Sequence, residues 1–149
     1  LVGEMRDLET MEAASTAAET GHLVFATLHA NSAEQTADRI VDAFPPHQQS
    51  QIRLQFANVL LGIVSQRLIP RVNGGRIAAA EILTANDAIR SLIREGKTHQ
   101  IGNVIKTSAS DGMISLDKVL AGLVAKGEVT LDDALVWASD PKQLKLSVF

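Results

Sequence analysis

The sequence contains no cysteine. That excludes disulfides and cysteine-ligated zinc, and it suits a cytoplasmic protein. Aromatic residues make up only 3% of the chain, too few for a platform on which nucleic-acid bases would stack. No block of basic residues occurs and the net charge is −3, which argues against a broad phosphate-binding footprint. No apolar run approaches the roughly 18 residues of a membrane span. An initiator Met is lacking, and no secretory signal opens the sequence. What is present is an ordinary globular balance, 46% hydrophobic and 21% charged over 149 residues. That suffices for one core, or for a partial core plus a small domain. With a surface of mixed sign, function falls to a few residues.

The opening, Leu1-Val2-Gly3-Glu4-Met5-Arg6-Asp7, is the densest signal. An apolar stretch runs into a small residue and a carboxylate, then an arginine and an aspartate. A buried strand delivers a charged group to the ligand-binding edge of an α/β sheet in this way. The strand reads as if it began before residue 1. The chain is therefore expected to be the C-terminal part of a larger protein, with half of the active site upstream.

Asp7 predicts a helix cap, with the helix running from Leu8 to about Thr20 and Gly21 ending it. Leu23–Leu28 has the length and apolarity of a central parallel strand. Ser32 and Gln35 form a capping box for a helix over Ala33–Ala43, which Pro45-Pro46 ends. Ile52, Phe56, Val59, Leu60, Ile63 and Val64 fall at helical spacing and predict one long amphipathic helix. Leu68–Val72 and Arg76–Leu83 read as strands joined at Asn73-Gly74-Gly75. Helices are expected from Asn86 to Glu95, more weakly from Thr98 to Lys106 around Gly102, from Ser115 to about Val124, and from Thr130 to about Ala138. The tail from Lys142 is expected to be loosely ordered.

Three groups of residues could carry chemistry. Glu4, at a strand's end, could orient or deprotonate a water attacking a phosphate beside bound magnesium; a carboxylate paired with a nearby arginine is the plainer reading. His22 and His29 flank the Leu23–Leu28 run, and an extended strand would part them by about 23 Å, so they cannot share one metal. His29 shares an edge with Glu4 if the strands are parallel, and could contact a γ-phosphate or be a plain loop histidine. His22 reads as a surface histidine. In Ala88–Glu95, Ile89, Leu92 and Ile93 make an apolar face. Arg90 and Arg94 stand four apart on an exposed side, where like charges repel unless something acidic faces them; a solvated face is the plainer reading.

Leu1–Thr10, Thr20–Ser32, Val64–Leu68, Gly74–Ile82 and Ala88–Lys97, in this order, closely resemble the type IV pilus retraction ATPases, the PilT-type branch of the type II/type IV secretion ATPase superfamily. The resemblance implies an α/β fold. Residues 1–84 would be the C-terminal strands of a RecA-like P-loop ATPase core, and residues 85–149 a small helical subdomain. It implies that Glu4 is the catalytic glutamate of the Walker B element, with Gly3 where many P-loop enzymes carry a magnesium-binding Asp. It makes His22 and His29 the His box, His29 the nearer to nucleotide, with Arg6 pairing acidic neighbours or reaching phosphate. It makes Ala88, Ile89, Arg90, Leu92, Ile93, Arg94 and Glu95 the helix motif needed for retraction rather than hydrolysis, with Ser91 at a position more often Asn.

ATP and Mg2+, a homo-hexameric ring and an inner-membrane pilus platform protein follow as cofactors and partners. Nucleic acid and direct membrane insertion do not. The implied place is the cytoplasmic face of the inner membrane. No Gly-x-x-x-x-Gly-Lys-Ser/Thr occurs, so that loop is expected upstream, and this chain alone is expected to bind ATP poorly. Assembly and type II secretion ATPases often carry a four-cysteine zinc element after a Ser-Gln-Arg-Leu segment. Here Ser65-Gln66-Arg67-Leu68 leads into a short cysteine-free turn, which favours retraction. The alternatives are an assembly or secretion ATPase without the zinc element, and a non-catalytic module making ring contacts.

Overall fold

The computed structural model describes residues 1–148; Phe149, the end of the expected tail, lies outside the described residues. Helix α1 spans Leu8–Glu19, α2 Ala33–Asp42 and α3 Gln49–Val59. An antiparallel hairpin follows, β1 over Gly62–Pro70 and β2 over Arg76–Thr84. Then come α4 (Asp87–Arg94), a 3₁₀ turn at Thr98–Gln100, α5 (Ile101–Thr107), α6 (Leu116–Ala125), α7 (Leu131–Trp137) and α8 (Pro141–Val148).

The helix starts are set by side-chain caps. Asp7 accepts from Thr10 N, Ser32 from Gln35 N, Asn86 from Ile89 N, Ser115 from Lys118 N and Thr130 from Asp133 N. Each satisfies an amide that the first turn leaves without an intrahelical partner.

The hairpin runs in continuous register from Gly62 opposite Thr84 to Pro70 opposite Arg76. Residues Arg71–Gly75 connect the strands, with Gly74 and Gly75 at φ +84° and +75°, a conformation that a β-carbon would strain. On β1 the inner row is Ile63, Ser65, Arg67 and Ile69; on β2 it is Ile77, Ala79, Glu81 and Leu83. Both ends of this face are apolar and its middle is polar. Leu83 joins a core built from α2, α3, α4, α5 and Met113. Ile69 and Ala79 join a second core with Leu116, Leu120, Val129, Ala134 and Leu144. A third, smaller cluster holds α1 to α2 and α3 through Met11, Val41, Phe44 and Ile52. The hairpin thus bridges the two main cores.

Four expectations are corrected. Among the described residues Leu23–Leu28 does not form a buried central strand. It is extended, paired with the chain's start by one parallel bridge, Val2 to Ala26, and leaves Leu23 66% and Phe25 62% exposed. No second neighbour among the described residues continues the ladder, so no sheet closes over it. The long helix from Ile52 does not reach Val64: α3 stops at Val59, Leu60 turns to extended backbone, and Ile63 and Val64 lie in β1. The weak helix over Thr98–Lys106 divides into the 3₁₀ turn and α5. The tail is helical. Asp140 Oδ1 accepts from Gln143 N at 3.0 Å, and Asp117 accepts from the amides of Ser139 and Asp140 at 2.7 and 3.0 Å. Pro141 suits a first helical position, and Leu144 is 1% exposed. Asp140-Pro141 is therefore the start of a helix rather than the end of order.

Candidate active site

The two extended segments run parallel, with Val2 N donating to Phe25 O at 2.8 Å and Met5 N to Thr27 O at 2.9 Å. Thr27 Oγ1 also donates to Gly3 O. Because the segments are parallel, the residues that leave them emerge at one edge. Glu4 and His29 meet there, His29 Nε2 lying 3.0 Å from Glu4 Oε1. Arg6 pairs with the other oxygen, Oε2. The carboxylate is thus clasped between a guanidinium and an imidazole. Its side chain is 24% exposed, against 75% for Arg6 and 83% for His29. The hydrogen bond from Arg6, with the charges of Arg6 and His29 behind it, holds the Glu4 carboxyl below its ordinary value of 4.5 against the opposing pull of partial desolvation. Glu4 is ionised at neutral pH.

His22 is elsewhere. Its Nδ1 lies 3.1 Å from Thr20 Oγ1 and 3.3 Å from Ala17 O, at the C-terminal end of α1. The structure brings Glu4, Arg6 and His29 together and leaves His22 with the end of a helix.

The Ala88–Glu95 segment needs one correction. Ile89 and Ile93 are buried at 0% and 1%, as the apolar face requires. Arg90, however, does not share an exposed side with Arg94. It is half-buried, and its Nη1 donates to Ala57 O and, at 3.0 Å, to Asn58 O. Those are carbonyls of the last turn of α3, which lack intrahelical partners and carry the negative end of the helix dipole. The negative charge that offsets Arg90 is therefore a helix end within the chain. Arg94 is exposed, and Glu95 is held by Ser91 and Lys97 at 2.9 and 2.7 Å.

A groove of about 350 Å³ opens beside His29, lined by His29, Asn31, Thr36, Ser65, Gln66 and Arg67 among others. Arg67 Nη2 donates to Asn31 O at 2.8 Å and to Asn31 Oδ1 at 2.7 Å. Glu81 Oε1 accepts from Ala33 N at 2.9 Å, which fills the start of α2. Among the described residues no three His, Asp or Glu side chains converge as a metal site. Among the described residues no helix is long and apolar enough to cross a membrane.

A family profile, Type II/IV secretion system protein, matches residues 1–74. The chain is 51% identical over 142 residues to the Pseudomonas aeruginosa protein named type IV pilus retractation ATPase PilT, covering 95% of the chain and 41% of that protein. It is 48% identical over 135 residues to a Neisseria gonorrhoeae twitching motility protein, covering 90% of the chain and 36% of the relative. The crystal structure of the pilus retraction motor PilT with bound ADP superposes with a TM-score of 0.87 at 49% identity, over 97% of the chain and 40% of that structure. The chain belongs to the type II/IV secretion system protein family.

Its fold is that of the corresponding part of a PilT motor. The chain spans about two fifths of the length of these relatives. Within the family's frame, sequence reading singled out Glu4, Arg6 and His29 but passed over Asn31 and Arg67. Ser65–Leu68 serves there only as a landmark, because helical spacing assigns Ile63 and Val64 to a helix. Period-two alternation from Ile63 to Ile69 is the signal that would have placed Arg67 on the inner row, facing the loop after His29.

Proposed function

We propose that this chain is part of a hexameric ATPase that powers type IV pilus retraction and twitching motility by hydrolysing ATP on the cytoplasmic face of the inner membrane. One observation carries the reading. A carboxylate at the end of one of two parallel segments is clasped by an arginine and a histidine, in a chain half identical to a retraction ATPase. Residues 1–84 would belong to the ATPase core and residues 85–149 to a helical extension. Glu4 would orient the attacking water and accept its proton. An incoming terminal phosphate competes with Glu4 for Arg6 and His29. As Arg6 turns to phosphate, the carboxylate loses the hydrogen bond that does most to hold its proton affinity down. His29 would thereby register the nucleotide. Glu4 would hold Mg2+ from the protein side, and the ion, when bound, would supply positive charge that neutralises the phosphates. A phosphate-gripping loop would come from outside this sequence. Arg94, facing outward on α4, would meet a neighbouring subunit or the pilus platform protein, while Arg90 would act through α3.

The test is ATP turnover of the full-length protein. Glu4→Gln should lower it by roughly 10²–10⁴-fold while nucleotide binding persists. Unchanged turnover removes Glu4 from the mechanism. A deletion strain then fixes direction: surplus pili indicate retraction, and absence of pili indicates assembly.

A further inference from the structure

We propose that Arg67, braced by the ring of Trp137, is the positioning residue that holds the loop carrying His29 against Glu4; this deepens the reading of that pair as the nucleotide-facing site. The loop His29–Asn31 hangs between two anchors. The upstream anchor is Thr27, tied to Gly3 and Met5 by its side chain and its carbonyl. The downstream anchor is Asn31, and Arg67 holds it twice through one nitrogen, at the backbone oxygen and at the side-chain oxygen. The remaining tie at Asn31 is its own N–H to Gln35 Oε1, at 3.0 Å. The Gln35 contact orients the start of α2. The Arg67 contacts fix where the loop lies over the hairpin.

Arg67 is itself directed. It stands on the inner row of β1, opposite Ala79, whose small side chain leaves room on that face. Trp137, the last residue of α7, covers the guanidinium with the Arg67 Cζ 5.8 Å from the ring centroid. Arginine has a planar, weakly hydrated head that stacks on an aromatic face while its edges donate hydrogen bonds. A lysine ammonium could donate to the Asn31 oxygens but could not present a flat face to the indole. The polar middle of the hairpin's inner face thus grips the site from below. Glu81 takes the start of α2 and Arg67 takes the loop before it. Trp137 is carried by α7, whose Ala134 belongs to the second core, so that core is linked through α7 to the loop carrying His29.

The experiment compares Arg67→Ala, Arg67→Lys, Asn31→Ala, Trp137→Ala and Trp137→Phe in the full-length protein. Misplacing a catalytic contact by about an ångström costs up to roughly 100-fold. Arg67→Ala and Asn31→Ala are expected to lower kcat by about tenfold or more with KM within about twofold, and the double variant to be no worse than the poorer single one, as for residues in one network. Arg67→Lys and Trp137→Ala should share the loss, and Trp137→Phe, which keeps a ring, should restore it. Additive effects of Arg67 and Asn31, or full kcat in Trp137→Ala, overturn the proposal. A crystal structure of the Arg67→Ala full-length protein gives a readout independent of turnover. His29 beyond hydrogen-bond distance of Glu4 supports the positioning role whatever the fate of the ATPase reading, and an unmoved His29 refutes it.

Discussion

Leu23–Leu28 and β2 are similar stretches of sequence with different outcomes. Both are short apolar runs of strand length. β2 finds β1 next to it, forms a continuous ladder, and buries Ala79 and Leu83 at 0% and 1%. Leu23–Leu28 finds only the first residues of the chain, forms one bridge, and leaves Leu23 and Phe25 open. An apolar run states that a segment can sit in a sheet; the neighbour that supplies hydrogen bonds and cover decides whether a sheet exists. The candidate site sits on the second kind of segment. Its support comes from the first kind, through Arg67.

The contrast can be broken at the hairpin. Leu83→Ala should cost about 2–5 kcal/mol, the range for truncating a buried leucine, read as a lower urea midpoint. Gly62→Ala tests how closely the ladder is drawn. A β-carbon there would lie 2.9 Å from Leu83 O, a backbone atom that cannot swing away, so a loss of about 1–3 kcal/mol is expected by the same measurement. Phe25→Ala sharpens the other side. In the 149-residue chain it should change stability by less than about 0.5 kcal/mol; a loss comparable to Leu83→Ala would mean that the segment is covered after all.

The smallest effect is electrostatic. The folded pKa of Glu4 is depressed, so its contribution to stability is present above its ordinary value of 4.5 and is lost as pH falls through the lower folded value. Arg6→Ala removes the principal cause. The Glu4 titration, followed by carbon NMR of the carboxyl, should then move up toward 4.5. An unmoved titration would show that His29 alone holds the carboxylate.

Helix starts were legible because capping is local. Asp7, Ser32, Asn86, Ser115 and Thr130 each place an oxygen near an amide three residues on, so the signal lies within one turn of sequence. Glu4 and His29 were legible as edge residues because parallel segments send their ends the same way. The α3–β1 junction was not. Leu60, Ile63 and Val64 satisfy helical spacing, yet Ile63 is an inner-row strand residue and Val64 is 66% exposed. Three apolar residues cannot separate the two periods. Arg90 was misread for a related reason. Its partners, Ala57 O and Asn58 O, are backbone atoms, and no residue type announces an open carbonyl. Asp140-Pro141 was misread because the same dipeptide closes one element and opens another, and Asp117, which settles the matter, lies in α6.

The bond between Arg90 and the end of α3 has a mechanical corollary. It fastens α4 to the place where α3 gives way to β1, at Leu60–Gly62. The position of α4 is thereby tied to the root of the hairpin, whose polar middle holds the His29 loop through Arg67.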